Sequence, residues 1–355
     1  MPEPQLVRTA RPTIVVGGRE NAQLAERLLS LLIVEDTGGL YRCEASVGNW
    51  GDTSGGGLGY LYLDRRTLDF GKTFQIKLGA DTLFDGRITG LEAQFPDHRS
   101  PVIVVLAEDR FQDLRMTRRT RAFSDVSDAD IFNRVANDHG LTPSVSVQGP
   151  TYKVLSQVNQ SDLAFLRERA RLIDAEIWME GSTLNAKSHA SRGGTPPRLT
   201  YGGSLQEFSV IADLAHQRTS VAVGGWDVAG KSAVKFEAGE SAVQGELGND
   251  VSGASVLTQS FGERKEVLAH TVPFSTQEAQ SHAESYFRKH ARRFVTGRGT
   301  TRTSAQVRAG AFVELSNLGP IFNGKYYLTE VRHTFDMAHG LRTSFTAERP
   351  GLGRP

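Results

Sequence analysis

The chain is 355 residues long and carries 41 Lys+Arg against 40 Asp+Glu, with 9 His and a single Cys. That length suits about two or three domains, and the near-zero charge balance argues against bulk electrostatic attraction to nucleic acid or to an anionic membrane. The lone Cys43 excludes an intrachain disulfide framework and a thiolate zinc cluster, in keeping with folding in a reducing bacterial cytoplasm.

Residues 1–24 form an N-terminal arm. Met1 to Pro12 is polar and proline-punctuated, and no apolar run approaches the roughly 20 residues of a spanning helix, so neither a signal peptide nor direct membrane insertion is expected. Leu28 to Glu35 and Leu40 to Val47 are β-rich runs, and Asp36-Thr37-Gly38-Gly39 between them reads as a hairpin turn. Gly51 to Gly59 is glycine-rich, lacks side chains with which to pack, and reads as a surface loop. Leu68 to Leu106 supplies further strands, among them the apolar run Val102-Ile103-Val104-Val105-Leu106.

After Glu108 the apolar period lengthens from two to nearly four. Ser127-Asp128-Ala129-Asp130 has the form of a capping box, Ile131, Phe132, Val135 and Ala136 share a helical face, and Gly140 closes the helix. Ser161-Asp162 opens a second helix with Leu163, Leu166, Ala170 and Ile173 on one face, and a hairpin follows over Ala175 to Ala186. Ser188 to Pro197, polar and rich in Gly and Pro, is the clearest linker. Strands are expected at Leu205 to Ile211 and Thr219 to Trp226, and Gly239 to Gly253 reads as a gap of low hydrophobicity. Ser275 then caps a helix with Ala279, Ala283, Phe287 and Ala291 on one face, and strands resume at Val307.

Phe74 to Glu92 overlays without a gap on Phe312 to Glu330, placing Phe74 on Phe312, Phe84 on Phe322, Asp85 on Asn323, Gly86 on Gly324, Arg87 on Lys325 and Glu92 on Glu330. Turn formers fall at matching places, Gly79-Ala80-Asp81 in one copy and Asn317-Leu318-Gly319-Pro320 in the other, so each copy reads as a hairpin of a twisted sheet. Gly86 and Gly324 mark a bulge or a close backbone approach. Two distant copies of one unit point to a duplicated domain.

Catalytic, metal and cofactor readings find no support. Gly319 to Lys325 matches the spacing of a phosphate loop. Yet Tyr326 stands where magnesium needs a hydroxyl, Pro320 removes a backbone donor, and no helix signal follows. The histidines are scattered, with His282 and His290 two helical turns apart, and Cys43 has no neighbouring His. Arg115, Arg118, Arg119 and Arg121 form the densest basic cluster, read as a salt-bridged segment ahead of a partner-binding patch. Arg288, Lys289, His290, Arg292 and Arg293 sit where cations complement a helix C-terminus.

A wider set of motifs resembles a known family. Leu83 to Ile88, Asp109-Arg110, Arg119 to Asp125, Ser127 to Ile131 ahead of His139-Gly140-Leu141, Asn159 to Leu166, Gly324 to Tyr327, His333 to Asp336 and Gly340 to Thr343 follow in order. They resemble the late control D family of contractile phage tails, the baseplate hub proteins, whose module also forms the N-terminal part of the valine-glycine-repeat spike proteins of type VI secretion. The resemblance implies a mainly β chain with α+β insertions, in which two similar β-barrel domains in tandem assemble as a homotrimeric, pseudo-sixfold ring. It implies a threefold spike on one face and a tail tube ring on the other, with a baseplate wedge or tape-measure protein as a further partner. Because the chain stops at Pro355 without a spike-like segment, the spike is expected to be a separate polypeptide.

The expected division is a first barrel over 25–115, an α+β module over 116–190, a second barrel over 199–235 and 295–349, a partly helical insertion over 236–294 and a tail over 350–355. The leading expectation is a structural, non-enzymatic hub carried in a virion tail or injection-particle baseplate. The alternatives are a tail-associated cell-wall hydrolase and a glycan- or receptor-binding β protein.

Overall fold

Alternating apolar residues dictate the first sheet. In a computed structural model that describes residues 11–53, 55–189, 195–227, 230–269 and 272–354, strand β1 (Leu28–Asp36) pairs antiparallel with β2 (Arg42–Gly48), with Gly39 at φ 71° in the turn. Cys43, Ala45 and Val47 of β2 point inward while Arg42 and Glu44 face water, as period two requires. Strands β3 (Thr73–Leu78), β4 (Asp81–Gln94) and β5 (Val102–Glu108) complete a five-stranded antiparallel unit in the order β1-β2-β5-β4-β3. The first ten residues of the expected arm, and 190–194 of the expected linker, lie outside the described residues.

The second unit repeats the first. Strands β6 (Leu205–Ala212), β7 (Val295–Arg302), β8 (Phe312–Ser316), β9 (Gly324–Asp336) and β10 (Gly340–Arg349) run β6-β7-β10-β9-β8, the same order by rank in the chain. Two of the register irregularities recur as well. The β4·β5 register slips at Thr89, between Ile88 and Gly90, and β9·β10 slips at Thr329, between Leu328 and Glu330. The β1·β2 register slips at Leu29 and β6·β7 at Gln206. Even the hydrogen bond at the first bulge is copied: Thr89 Oγ1 donates to Leu106 O at 3.4 Å, and Thr329 Oγ1 to Thr346 O at 3.3 Å. A β-bulge is a local kink that sets strand twist, so two of them in equivalent places bend the two units alike.

This pairing corrects the register of the ungapped overlay. The overlay sets Glu92 against Glu330, whereas the bulges set Gly90 there, a displacement of two residues. The two hairpins also differ in their turns: β3 and β4 meet across Gly79 and Ala80, while β8 and β9 are joined by Asn317 to Asn323. The two units then share one 13-stranded sheet, because β1 pairs antiparallel with the C-terminal half of β9, Val331 opposite Glu35. Among the described residues the hydrogen bonding joins the units edge to edge and closes neither on itself.

Two smaller modules pack beside this sheet. In the first, α1 (Asp128–Asp138) starts at a true capping box, with Ser127 as N-cap and Asp130 bonding back. It packs with α2 (Asp162–Leu172), capped by Ser161, around Ile131, Phe132, Val135, Phe165 and Leu166. In the second, α3 (Thr276–Arg292) lays Ala279, Ala283 and Phe287 on a three-stranded sheet. That sheet contains Ser220–Asp227, so the strand expected in the second barrel belongs to the insertion instead. Alternating Val221 and Val223 announce a half-buried strand but carry no information about which sheet it joins. The expected gap at Gly239 to Gly253 is also structured: it holds short helical turns over Glu240–Ala242 and Gln244–Leu247, with Val243 and Leu247 buried.

Candidate assembly interface

The seam between the two β units is the most constrained polar site of the chain. Glu35 on β1 is wholly buried, yet its carboxylate accepts from Arg308 Nε at 2.7 Å and from the Ala309 N–H at 3.2 Å. Arg308 also donates to Thr82 O at 3.2 Å, so one guanidinium ties β1, the start of β4 and the segment entering β8 together. Two pairs further along, His333 faces Ile33 and bonds Thr343 Oγ1 at 2.8 Å through Nδ1. Burial, and secondarily the charge of Arg308, push the His333 pKa down to about 3, so this ring stays neutral.

A second polar seam joins the two modules. Arg292 on α3 makes bidentate contacts to Asp174 at 2.5 and 2.7 Å and to Glu246 at 2.7 and 2.6 Å. Burial alone pushes the Glu246 carboxyl up, but the hydrogen bonds and charge of Arg292 outweigh it and hold the group below its usual range. Ser281 and Ser285 of α3 donate to Leu172 O and Arg171 O, satisfying the open carbonyls at the C-terminus of α2. A cavity of about 610 Å³ lies beside this seam, lined in part by Arg167, Glu176, His189 and Glu348. Glu176 contacts the His189 ring at 3.3 Å and accepts from the Tyr327 hydroxyl.

The residues of the sequence repeat are dispersed among structural tasks. Phe74 and Phe84 are core, and Asp85 is exposed. At Gly86 a Cβ would stand 2.3 Å from Glu108 O, the close backbone approach expected there; the bulge itself lies at Thr89. Arg87 lies 3.6 Å from Asp113. In the second copy, Lys325 Nζ sits 3.9 Å over the Phe312 ring. Half-buried Phe322 and the side chain of Asn323, which accepts from the Leu318 N–H at 2.8 Å, shape the long turn. Gly324, at φ 138°, leaves room for the Arg349 guanidinium, and Glu330 binds Arg332 at 2.7 Å. Glu92 alone lies open on a sheet edge.

The arginine cluster is consumed internally. Arg115 pairs with Glu108 at 2.5 Å, Arg119 with Asp162 at 3.1 Å, and Arg121 with Asp138 and Asp162 at 2.8 and 2.9 Å. Asp109 accepts the N–H groups of Tyr41 and Phe111 at 2.8 and 2.9 Å, and its pKa, raised to about 7 by burial, marks a structural pin where the first module leaves the sheet. Among the described residues no group of three His, Cys, Asp or Glu is placed to hold a metal ion, and no helix is long and apolar enough to cross a membrane. Sequence reasoning missed the seam residues Glu35, Arg308 and His333 and both bulges, because cross-chain pairs leave no local pattern.

What stays open is backbone. Among the described residues β6 has β7 as its neighbour on one side and no strand on the other. The C-terminal half of β4, from Gly90 to Gln94, is likewise paired with β5 alone. Close to that edge Trp50, Tyr60 and Phe95 form an exposed edge-to-face stack at 5.2 and 5.8 Å.

Residues 63–336 match the sequence family described as Alg8 N-terminal domain. The chain belongs to that family. Among solved structures, this Alg8 N-terminal domain member is similar to a 43 kDa tail protein of prophage MuSo2 from Shewanella oneidensis. The TM-score is 0.71 at 11% identity, over 96% of this chain and 98% of that one. It is similar to a tail protein from Neisseria meningitidis MC58, with a TM-score of 0.68 at 13% identity over 97% of each chain. It is also similar to an E. coli protein described as a component of the type VI secretion system, with a TM-score of 0.57 at 11% identity, over 92% of this chain and 76% of that one. At such identities the likeness is one of fold. No curated protein matches the chain by sequence.

Proposed function

We propose that this chain is a non-enzymatic baseplate hub of a contractile phage tail or contractile injection system, of the late control D type. It assembles as a homotrimer, holds a threefold spike on one face, and offers the other face to the sixfold tail tube, whose first ring it nucleates. The observation that carries this reading is the doubled β unit, with one strand order and the same two bulges in both copies. Three chains with two barrel-like units each present six near-equivalent units, which is what a threefold-to-sixfold adaptor requires. Fold likeness to tail proteins over nearly the whole of each chain supports it.

The test is tube nucleation. The chain is mixed with the tube protein and the spike protein encoded beside it, and polymerisation is followed by light scattering and electron microscopy. The expected result is a shortened lag and tubes bearing the chain at one end; tube growth indifferent to the chain would overturn the reading.

A further inference from the structure

We propose that the seam between the two β units within one chain is repeated between chains, with β6 of one copy adding to the outer edge of β4 in the next. The inference rests on the trimeric hub reading above and names the surface that builds the trimer. Its basis is the equivalence of the units. Strand β1, the first of its unit, pairs with the C-terminal half of β9, the fourth of the other unit. The corresponding first strand of the second unit is β6, and the corresponding fourth strand of the first unit is β4. Each of these presents an edge without a strand partner among the described residues.

The bulges set the register. Thr89 corresponds to Thr329 and Leu29 to Gln206, so the seam pairs Val331·Glu35, Arg332·Val34 and His333·Ile33 translate into Leu91·Ala212, Glu92·Ile211 and Ala93·Val210. The translation puts like with like. Leu91, Ala212, Ala93 and Val210 fall on one face, and Leu91, Ala212 and Val210 already pack at the rims of the two β cores. Glu92 and Ile211, both exposed, fall on the other face. Where the internal seam buries Glu35 and His333, the seam between chains would bury apolar side chains and needs no arginine to neutralise them. An edge strand with open N–H and C=O groups is a template for such addition, and a head-to-tail contact whose rotation is one third of a turn closes into a ring of three.

The experiment is disulfide trapping in the full chain. The double variant Ala93→Cys with Val210→Cys places two thiols at directly opposed positions, where Cα separations of about 4.5–5.5 Å suit a disulfide. Native Cys43 is buried and can stay. The expected result is reducible dimers and trimers on a non-reducing gel, with no species beyond three chains. Each single variant, and the out-of-register pair Ala93→Cys with Ile211→Cys, should stay uncrosslinked. A second variant, Ala93→Arg, should convert trimers to monomers by light scattering while leaving the circular dichroism spectrum of the folded chain unchanged. A trimer in light scattering that forms no disulfide overturns the proposed seam and leaves the hub reading standing. A folded monomer without disulfide overturns the seam too, and the hub reading is then decided by tube nucleation.

Discussion

Arg292→Met is the sharpest probe of how the two modules are held together. The guanidinium makes four charge-assisted contacts of 2.5 to 2.7 Å, two to Asp174 and two to Glu246, and is itself almost wholly buried. Methionine keeps much of the stem and its packing but strips both carboxylates of their close bidentate partner, leaving Asp174 only the longer 3.9 Å contact to Arg288. Breaking a buried pair by removing one partner costs about 3–5 kcal/mol. Asp174 and Glu246 retain 16% and 21% of their side-chain exposure, so water recovers part of the loss and the lower end, about 3 kcal/mol, applies. That is roughly a hundredfold in the opening equilibrium of α3. Native-state hydrogen exchange on α3 and on the C-terminus of α2 reads it directly, since Ser281 and Ser285 couple the two. The pH dependence has a definite sign. The folded pKa of Glu246 lies below the ordinary glutamate value of 4.5, so its contribution is present above that pH and is lost as pH falls through the folded value. The difference between wild type and variant should therefore shrink below pH 4.5. A deficit under about 1 kcal/mol, or one that does not change between pH 7 and pH 4, would refute the assignment of Arg292 as the buried clamp.

Arg308→Leu should destabilise the seam between the β units by about 3 kcal/mol, and a double-mutant cycle with Glu35→Gln in urea unfolding should return most of that as coupling. His333 remains neutral in the fold because burial holds its pKa near 3, whereas the unfolded chain takes up a proton near 6.5. Stability should therefore fall with pH below 6.5, by about 2 kcal/mol from this group at pH 5. His333→Leu should flatten that slope in denaturation series. Ser127→Ala removes the side-chain half of the α1 capping box, the acceptor for the Asp130 N–H, and should cost about 1 kcal/mol, read as a lowered melting temperature. Gly86→Ala should cost more than this, because its methyl would meet a backbone carbonyl of β5 that the sheet holds in place.

Much of the fold was legible in local chemistry. Ser127, Ser161 and Ser275 mark three helix starts because an N-cap is written in adjacent residues, and the β1–β2 turn is written in Gly38-Gly39. The duplication itself was visible in Phe74 to Glu92 and Phe312 to Glu330, but its register was not. A two-residue shift is silent until Thr89 and Thr329 are seen at the same bulge. Placement of the Ser220–Asp227 strand failed for the same reason: alternation says that one face is buried, not what buries it. The seam residues were beyond reach because Glu35 and Arg308 are far apart in the chain and neither stands in a motif. The open edges of β4 and β6 are a property of topology, and no side chain announces them.

The central claim is that two equivalent β units per chain, in three chains, make one sixfold face. Cryo-electron microscopy of the chain bound to its spike protein measures this most directly. The account predicts a threefold ring whose β density repeats every 60° at low resolution, with alternate repeats contributed by β1 to β5 and by β6 to β10. A monomer or dimer on the spike, or a threefold ring in which one unit of each chain stands outside the circle, would contradict it.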